Sequence, residues 1–176
     1  MTERIPNVVD RVEWYEGMLL APQHFQQMAA RLDSLVAWQT LAAAPFSWGV
    51  RRLAFDNGLL PTGLVRVLAL DAIMPDGTAV SYSADAGQHD ALELSLEPFA
   101  AQLANGPLDV YVTLPIAAMT RRNPQVRRFR SVAGLPVEDE VSEAPPADIA
   151  RLVPNLELAA GELPSATYVY LRLASV

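Results

Sequence analysis

Proline and glycine recur along the whole chain, fourteen of the one and nine of the other, and this punctuation constrains the fold more than any other feature. Each proline fixes its own φ, removes a backbone donor and disfavours the helical conformation at the residue before it. Short strands joined by turns tolerate such breaks; a helical bundle does not. The one helical exception opens from the stretch Val12–Gln27, V-E-W-Y-E-G-M-L-L-A-P-Q-H-F-Q-Q. There Val12 and Trp14 alternate with Glu13 as in a half-buried strand, and Gly17 marks a turn. Pro22 stands where a first helical residue belongs, since its missing N–H would be unpaired there in any case. From Gln23 to about Ala43 the pattern is helical, with Phe25, Met28, Leu32 and Leu35 on one face and Gln26, Arg31, Asp33 and Ser34 elsewhere. That stripe is expected to be core packed on a sheet, and Pro45 to end the helix.

Beyond Trp48 the period falls to two. Val50–Phe55 and Leu64–Met74 read as strands, with Asp56-Asn57-Gly58 as a turn and Leu59–Pro61 as an extended link. Pro75-Asp76-Gly77 supplies turn chemistry between Leu64–Met74 and Thr78–Ser83, which predicts a hairpin. Leu92, Leu94 and Leu96 alternate with polar neighbours. Leu108–Ile116 is rich in β-branched and aromatic residues, and Pro115 ends its pairing or marks a sheet edge. Leu152-Val153, Leu156–Leu158 and Thr167–Leu173 return to strand. The expected fold is mainly β: a β-sandwich or partly closed barrel of about eight strands with one N-terminal α-helix packed on it. Residues 1–176 are expected to form one domain.

Between the strands, Arg121–Arg130 holds five of the thirteen arginines, and Glu138, Asp139, Glu140 and Glu143 follow. A basic block facing an acidic one predicts a long hairpin-like excursion whose charges partly answer each other. The alternative is a protein contact, because the planar arginine fork pairs with carboxylates while its stem stacks on apolar surface. The entry segment leaves a similar choice. Trp14 and Leu19 either fill the core, or the segment packs on another copy or subunit, as tryptophan and tyrosine commonly do.

Catalysis finds little to build on. There are two histidines and no cysteine, so disulfides and thiolate metal sites are excluded. His89 lies between Asp85 and Asp90, which invites a hydrolase reading, but no serine stands in a nucleophile-elbow context. His24 and His89 have no metal-ligand spacing, and His24 suits a capping or packing role at the helix start. No phosphate-binding glycine motif is present, and no catalytic residue, metal or cofactor is expected. The net charge of −7 argues against nucleic acid. No apolar stretch reaches the roughly 20 residues of a membrane helix, and M-T-E-R-I-P is unlike a signal peptide. A soluble cytoplasmic protein is expected, with no direct membrane insertion.

The run W-x-E-G-M-x-L-x-P-Q-H-F-Q-Q at Trp14–Gln27 resembles the opening of the TssK (ImpJ/VasE) family of type VI secretion baseplate subunits. Trp48-Gly49-Val50, Phe55-Asp56 with Leu59-Leu60-Pro61, Met74–Thr78, Leu114-Pro115-Ile116, Arg127–Arg130 and Pro154-Asn155-Leu156 fall in that family's order and spacing. The resemblance implies a first domain like the shoulder of siphophage receptor-binding proteins, with the family's helical neck and C-terminal head absent here. It implies a homotrimer that docks on the baseplate wedge of TssF and TssG with TssE. The missing C-terminal part would contact the TssJ–TssL–TssM membrane complex, at the inner face of the bacterial envelope. Wedge or trimer contacts are then expected at Trp14, Tyr15, Met18, Leu19, Gln23, Phe25, Arg127, Arg128 and Arg130. The competing binding-protein reading is a phage-tail-like, receptor- or carbohydrate-binding β-sandwich.

Overall fold

The computed structural model describes residues 7–86, 90–117 and 126–176. Its first regular element is helix α1 (Pro22–Ala43), begun by the expected proline and closed at Ala44, whose N–H donates to the Thr40 carbonyl at 2.8 Å. Strands β1 (Gly49–Phe55), β2 (Leu64–Ile73), β3 (Ala79–Ser83) and β4 (Leu92–Ser95) form one antiparallel sheet. The long β2 is its spine. Its second half pairs with β3 through the predicted hairpin, and its first half pairs with β4. A short helix α2 (Ala100–Leu103) leads to β5 (Asp109–Pro115), which lies between β10 (Glu157–Ala160) and β11 (Tyr168–Ser175) in a second sheet. Pro115 ends its pairing, opposite Tyr168, at the end of a central strand and not at a sheet edge.

The two sheets face each other across the core. Val67, Leu70, Met74 and Tyr82 of the first layer meet Val112, Leu114 and Leu171 of the second, and Trp48 packs against them. Alternation explains the arrangement: Val110, Val112 and Leu114 of β5 point inward while Asp109 and Tyr111 take the other face. The buried Tyr82 hydroxyl is satisfied, accepting from the Leu92 N–H at 3.0 Å. The architecture is a sandwich of open sheets with no closed barrel.

Between β5 and β10 the chain makes the expected excursion. Strands β6 (Phe129–Val132) and β9 (Arg151–Pro154) pair at its base, and β7 (Pro136–Val137) and β8 (Ala147–Asp148) pair further out. With these two-residue rungs the described residues hold eleven strands, more than the eight expected, because two-residue pairings leave no periodicity to read.

Three local expectations are corrected. Residues 12–14 form no strand; they run as irregular chain along α1. Leu60–Thr62 is a 3₁₀ turn and not an extended link, closed by Gly63 at φ 79°. The largest correction concerns the helix. Of its expected stripe, Phe25, Met28 and Leu32 are exposed and Leu35 is half-buried, and the helix residues that are buried are Ala37 and Leu41, on the opposite side. Ala37 rests on Gly77 in the β2–β3 turn so closely that a Cβ on Gly77 would lie 2.4 Å from the Ala37 Cβ, far inside van der Waals contact. The helix therefore touches the sandwich along a small-residue edge and turns its apolar ridge away.

Candidate protein-binding surfaces

The entry segment is held on α1 by polar contacts. The Val9 N–H donates to Ser34 Oγ at 3.0 Å, the Arg31 guanidinium donates to the Val9 carbonyl, and Ser34 Oγ donates to the Arg31 carbonyl at 2.9 Å. Farther along, the Trp14 ring lies against His24 and Phe25, with centroids 6.0 and 6.4 Å apart. Gly17, at φ 81°, then reverses the chain, and the Met18 N–H donates to the Tyr15 carbonyl at 3.3 Å. His24 has the capping role expected of it: its Nδ1 accepts the Ala21 N–H at 3.0 Å, satisfying a backbone group at the helix start.

This construction displays apolar side chains instead of hiding them. Trp14, Tyr15 and Phe25 are each at least half exposed, Leu19 is 88 % exposed, Met18 is half-buried and Gln23 is exposed. The ridge continues through Met28 and Leu32 to Val36 at 63 %. Of the expected contact residues, the structure thus brings Trp14 and Phe25 together and leaves Tyr15 and Leu19 projecting. Val36 and Trp38 were not anticipated, although the helical period already placed Val36 beside Leu32; Leu20, within the apolar entry segment, is exposed as well.

The arginines part ways. Arg127 is exposed, and Arg130 is half-buried and pairs with the exposed Asp90. Arg128, expected at the surface with them, is instead 8 % exposed and fully engaged inside the chain. Its Nη1 donates to the Pro115 carbonyl at 2.7 Å, and its Nη2 donates to Asp76 Oδ2 at 2.6 Å and to Thr78 Oγ1. One guanidinium thus ties the base of the excursion to the end of β5 and to the β2–β3 turn. Arg128 pairs with Asp76 and Arg130 with Asp90. Arg121 and Arg122 lie outside the described residues.

Little here resembles a reaction site. Asp85 lies in a 3₁₀ turn, Asp90 is the partner of Arg130, and His89 lies outside the described residues. Among the described residues no cluster of three or more metal-ligating side chains occurs. On the outer face of the second sheet the Ser175 hydroxyl, with Arg172 at 3.4 Å, holds the Asp109 carboxyl below its ordinary range, while burial raises the Tyr111 phenol. These are the marks of a surface cross-strand network. A shallow depression of about 170 Å³ between Phe55, Leu60, Val65 and Val176 is smaller than the roughly 300 Å³ at which small-molecule pockets begin.

Comparison with known proteins points to one family. A family model described as bacterial type VI secretion, EvfL, ImpJ, VasE matches residues 24–176. Over 76 residues the chain is 38% identical to the type VI secretion system baseplate component TssK1 of Pseudomonas aeruginosa, a stretch covering 43% of this chain and 17% of that one. A crystal structure of TssK superposes with a TM-score of 0.81 at 25% identity, over 95% of this chain and 38% of that one. A chain from a cryo-electron microscopy structure of the TssK–TssF–TssG baseplate subcomplex shares the fold, with a TM-score of 0.74 at 23% identity over 95% of this chain and 56% of that one. The chain thus spans well under two thirds of the length of these relatives.

Proposed function

This chain belongs to the ImpJ/VasE family of bacterial type VI secretion proteins, and from that premise we propose that it is a structural baseplate component, a TssK-like adaptor domain that holds other proteins and catalyses nothing. The observation that carries this reading is the apolar ridge of α1 and the entry segment, turned away from the sandwich that supports it. Contiguous exposed apolar surface of this kind marks an interaction site, and its Trp14, Tyr15 and Phe25 are residue types that anchor interfaces. A relative of the same fold occurs in a TssK–TssF–TssG subcomplex, which supports TssF and TssG as the wedge proteins this ridge meets, with TssE joining them in the proposed wedge. Arg127 and Arg130 flank the excursion as secondary contacts, while Arg128 acts from inside.

In the same reading the working protein is a homotrimer at the cytoplasmic face of the bacterial envelope. A helical neck and a head outside residues 1–176 would complete it, the head reaching the TssJ–TssL–TssM membrane complex. No helix among the described residues is long and apolar enough to cross a membrane, and attachment through that complex would require none.

Co-purification of the chain with TssF and TssG, with the mass of the complex measured in solution, tests the proposal. A complex containing all three proteins is expected, with three copies of this chain per adaptor. Trp14→Ala with Phe25→Ala is expected to weaken it about 100-fold, the scale of two truncated anchors, while the thermal transition of the sandwich stays in place. A double variant that is folded, trimeric and binds TssF–TssG as tightly as the parent would refute the assignment of the ridge.

A further inference from the structure

The ribbon that begins at β6 and returns through β9 carries a second unpartnered surface, separate from the helix ridge. A lone two-stranded ribbon is marginal in water and gains its stability from packing on something else. At its base this ribbon has the Arg128 anchor and the Arg130–Asp90 pair. Farther out, Gly134 lets the strands close tightly, since a Cβ there would strike the Ile149 carbonyl. The distal half is well formed, yet it offers its apolar groups to solvent: Leu135 is 73 % exposed, Val141 96 %, and Val137 and Ile149 are exposed too. Among the described residues β7 and β8 pair only with each other, so each presents an open edge.

The charge on this half is one-sided. Residues 131–150 contain Glu138, Asp139, Glu140, Glu143 and Asp148 and no lysine, arginine or histidine. Asp139 is used locally, accepting the Val141 and Ser142 N–H groups at 2.8 and 3.1 Å, bonds that hold its carboxyl below the ordinary range. The remaining four are exposed. Five of the seven net negative charges of the chain therefore sit on these twenty residues, and the rest of the chain carries −2 (−7 less −5). A second copy of this chain is itself acidic overall, at −7, so long-range charge disfavours its approach to this half.

We propose that the distal ribbon is a docking surface for a different protein, and that it takes a cationic segment with alternating apolar residues, laid along the free edge as an added strand. Strand addition supplies main-chain hydrogen bonds, Leu135, Val137 and Val141 supply the apolar contact, and the carboxylates steer the partner and set its register. The surface works independently of the helix ridge, so either assignment can fail alone.

The test is photo-crosslinking in the source bacterium, in the full-length protein, with p-benzoylphenylalanine replacing Val141, a side chain with no packing role. The expected adduct is with another protein, at a segment with an excess of lysine and arginine over acidic residues. Its yield is expected to fall roughly tenfold, the scale of lost electrostatic steering, in the Glu138→Lys, Glu140→Lys, Glu143→Lys variant and by less in the corresponding glutamine variant, with TssF–TssG binding retained in both. An adduct with a second copy of this chain, an adduct with a neutral or acidic segment, a yield indifferent to charge in both variants, or no adduct at all would each overturn the proposal.

Discussion

Replacing Arg128 with methionine will lower the melting temperature by roughly 5–10 °C, the shift that a loss of about 2–3 kcal/mol produces in a domain of this size. Methionine keeps most of the stem volume, so the loss falls on the three acceptors. The Pro115 carbonyl, the Asp76 carboxylate and the Thr78 hydroxyl lose their shared donor together. Removing one partner of a buried ion pair costs about 3–5 kcal/mol because the other charge is left behind. The Asp76 side chain is 25% exposed, so water recovers part of that cost. Adding Asp76→Asn to the methionine variant is therefore expected to restore stability, and a thermal double-mutant cycle over the two positions checks it. Arg128→Lys should recover less than half, because one ammonium cannot reproduce the planar fork that spans two elements. Hydrogen exchange in β6 and β9 should rise while β5 stays protected. A melting temperature unchanged in the methionine variant would show that the arginine anchors nothing.

Gly77→Ala is the second variant with a large effect, and it acts on the helix. Gly77 has φ 82°, a conformation that costs a residue with a Cβ about 1–2 kcal/mol. The new methyl would also collide with Ala37 of α1. A tight core would make both terms global. Here the helix meets the sandwich along a narrow edge, so the cost of the collision is capped by the free energy of docking α1, while the dihedral cost stays in the turn. Amide exchange across residues 30–43 is expected to rise at least about tenfold, the measure of about 1.4 kcal/mol lost locally, with β5 unchanged. Adding Ala37→Gly relieves the collision but not the dihedral, so it should return only part of the protection. If Gly77→Ala leaves exchange in α1 as it was, the helix is not held by this contact.

Both variants bear on one turn. Met74–Thr78 is closed by its own backbone, with the Gly77 N–H on the Met74 carbonyl at 2.8 Å and the Met74 N–H on the Thr78 carbonyl at 2.9 Å. It meets the helix through Gly77 and the excursion through Asp76 and Thr78. The sequence Pro-Asp-Gly-Thr announced a hairpin turn on local chemistry alone, and the hairpin formed. Its second role was not legible, because nothing local distinguishes an aspartate that caps its own turn from one that also holds an arginine fifty residues away.

The same division runs through the rest of the molecule. Pro22 and Pro45 bounded the helix correctly, and alternation located β2, β3, β4, β5 and β11, because these features depend on neighbours in sequence. Periodicity also found the apolar face of α1, but it cannot say whether the apolar partner belongs to the same chain. On that ambiguity the stripe Phe25, Met28, Leu32 and Leu35 reads as core, whereas the first three are exposed, Leu35 is half-buried, and Ala37 and Leu41 take the buried contact. Val12 and Trp14 alternated like strand residues without a neighbouring strand to pair with. Among three nearby arginines, only the meeting of β5, the β2–β3 turn and the base of the ribbon selected Arg128 for burial. A sequence reveals what a segment can hide; three-dimensional neighbours decide whether it is hidden.

Hydroxyl-radical footprinting tests most directly whether this chain works by presenting the helix ridge to other proteins. Trp14, Phe25 and Met28 are among the most readily oxidised side chain types, and all three are exposed in the isolated chain, whereas Met74 is fully buried and serves as the unreactive reference. On assembly with TssF and TssG, oxidation of all three is expected to fall severalfold together, with Met74 unreactive throughout. Undiminished oxidation of Trp14, Phe25 and Met28 in a complex shown to contain TssF and TssG would contradict it.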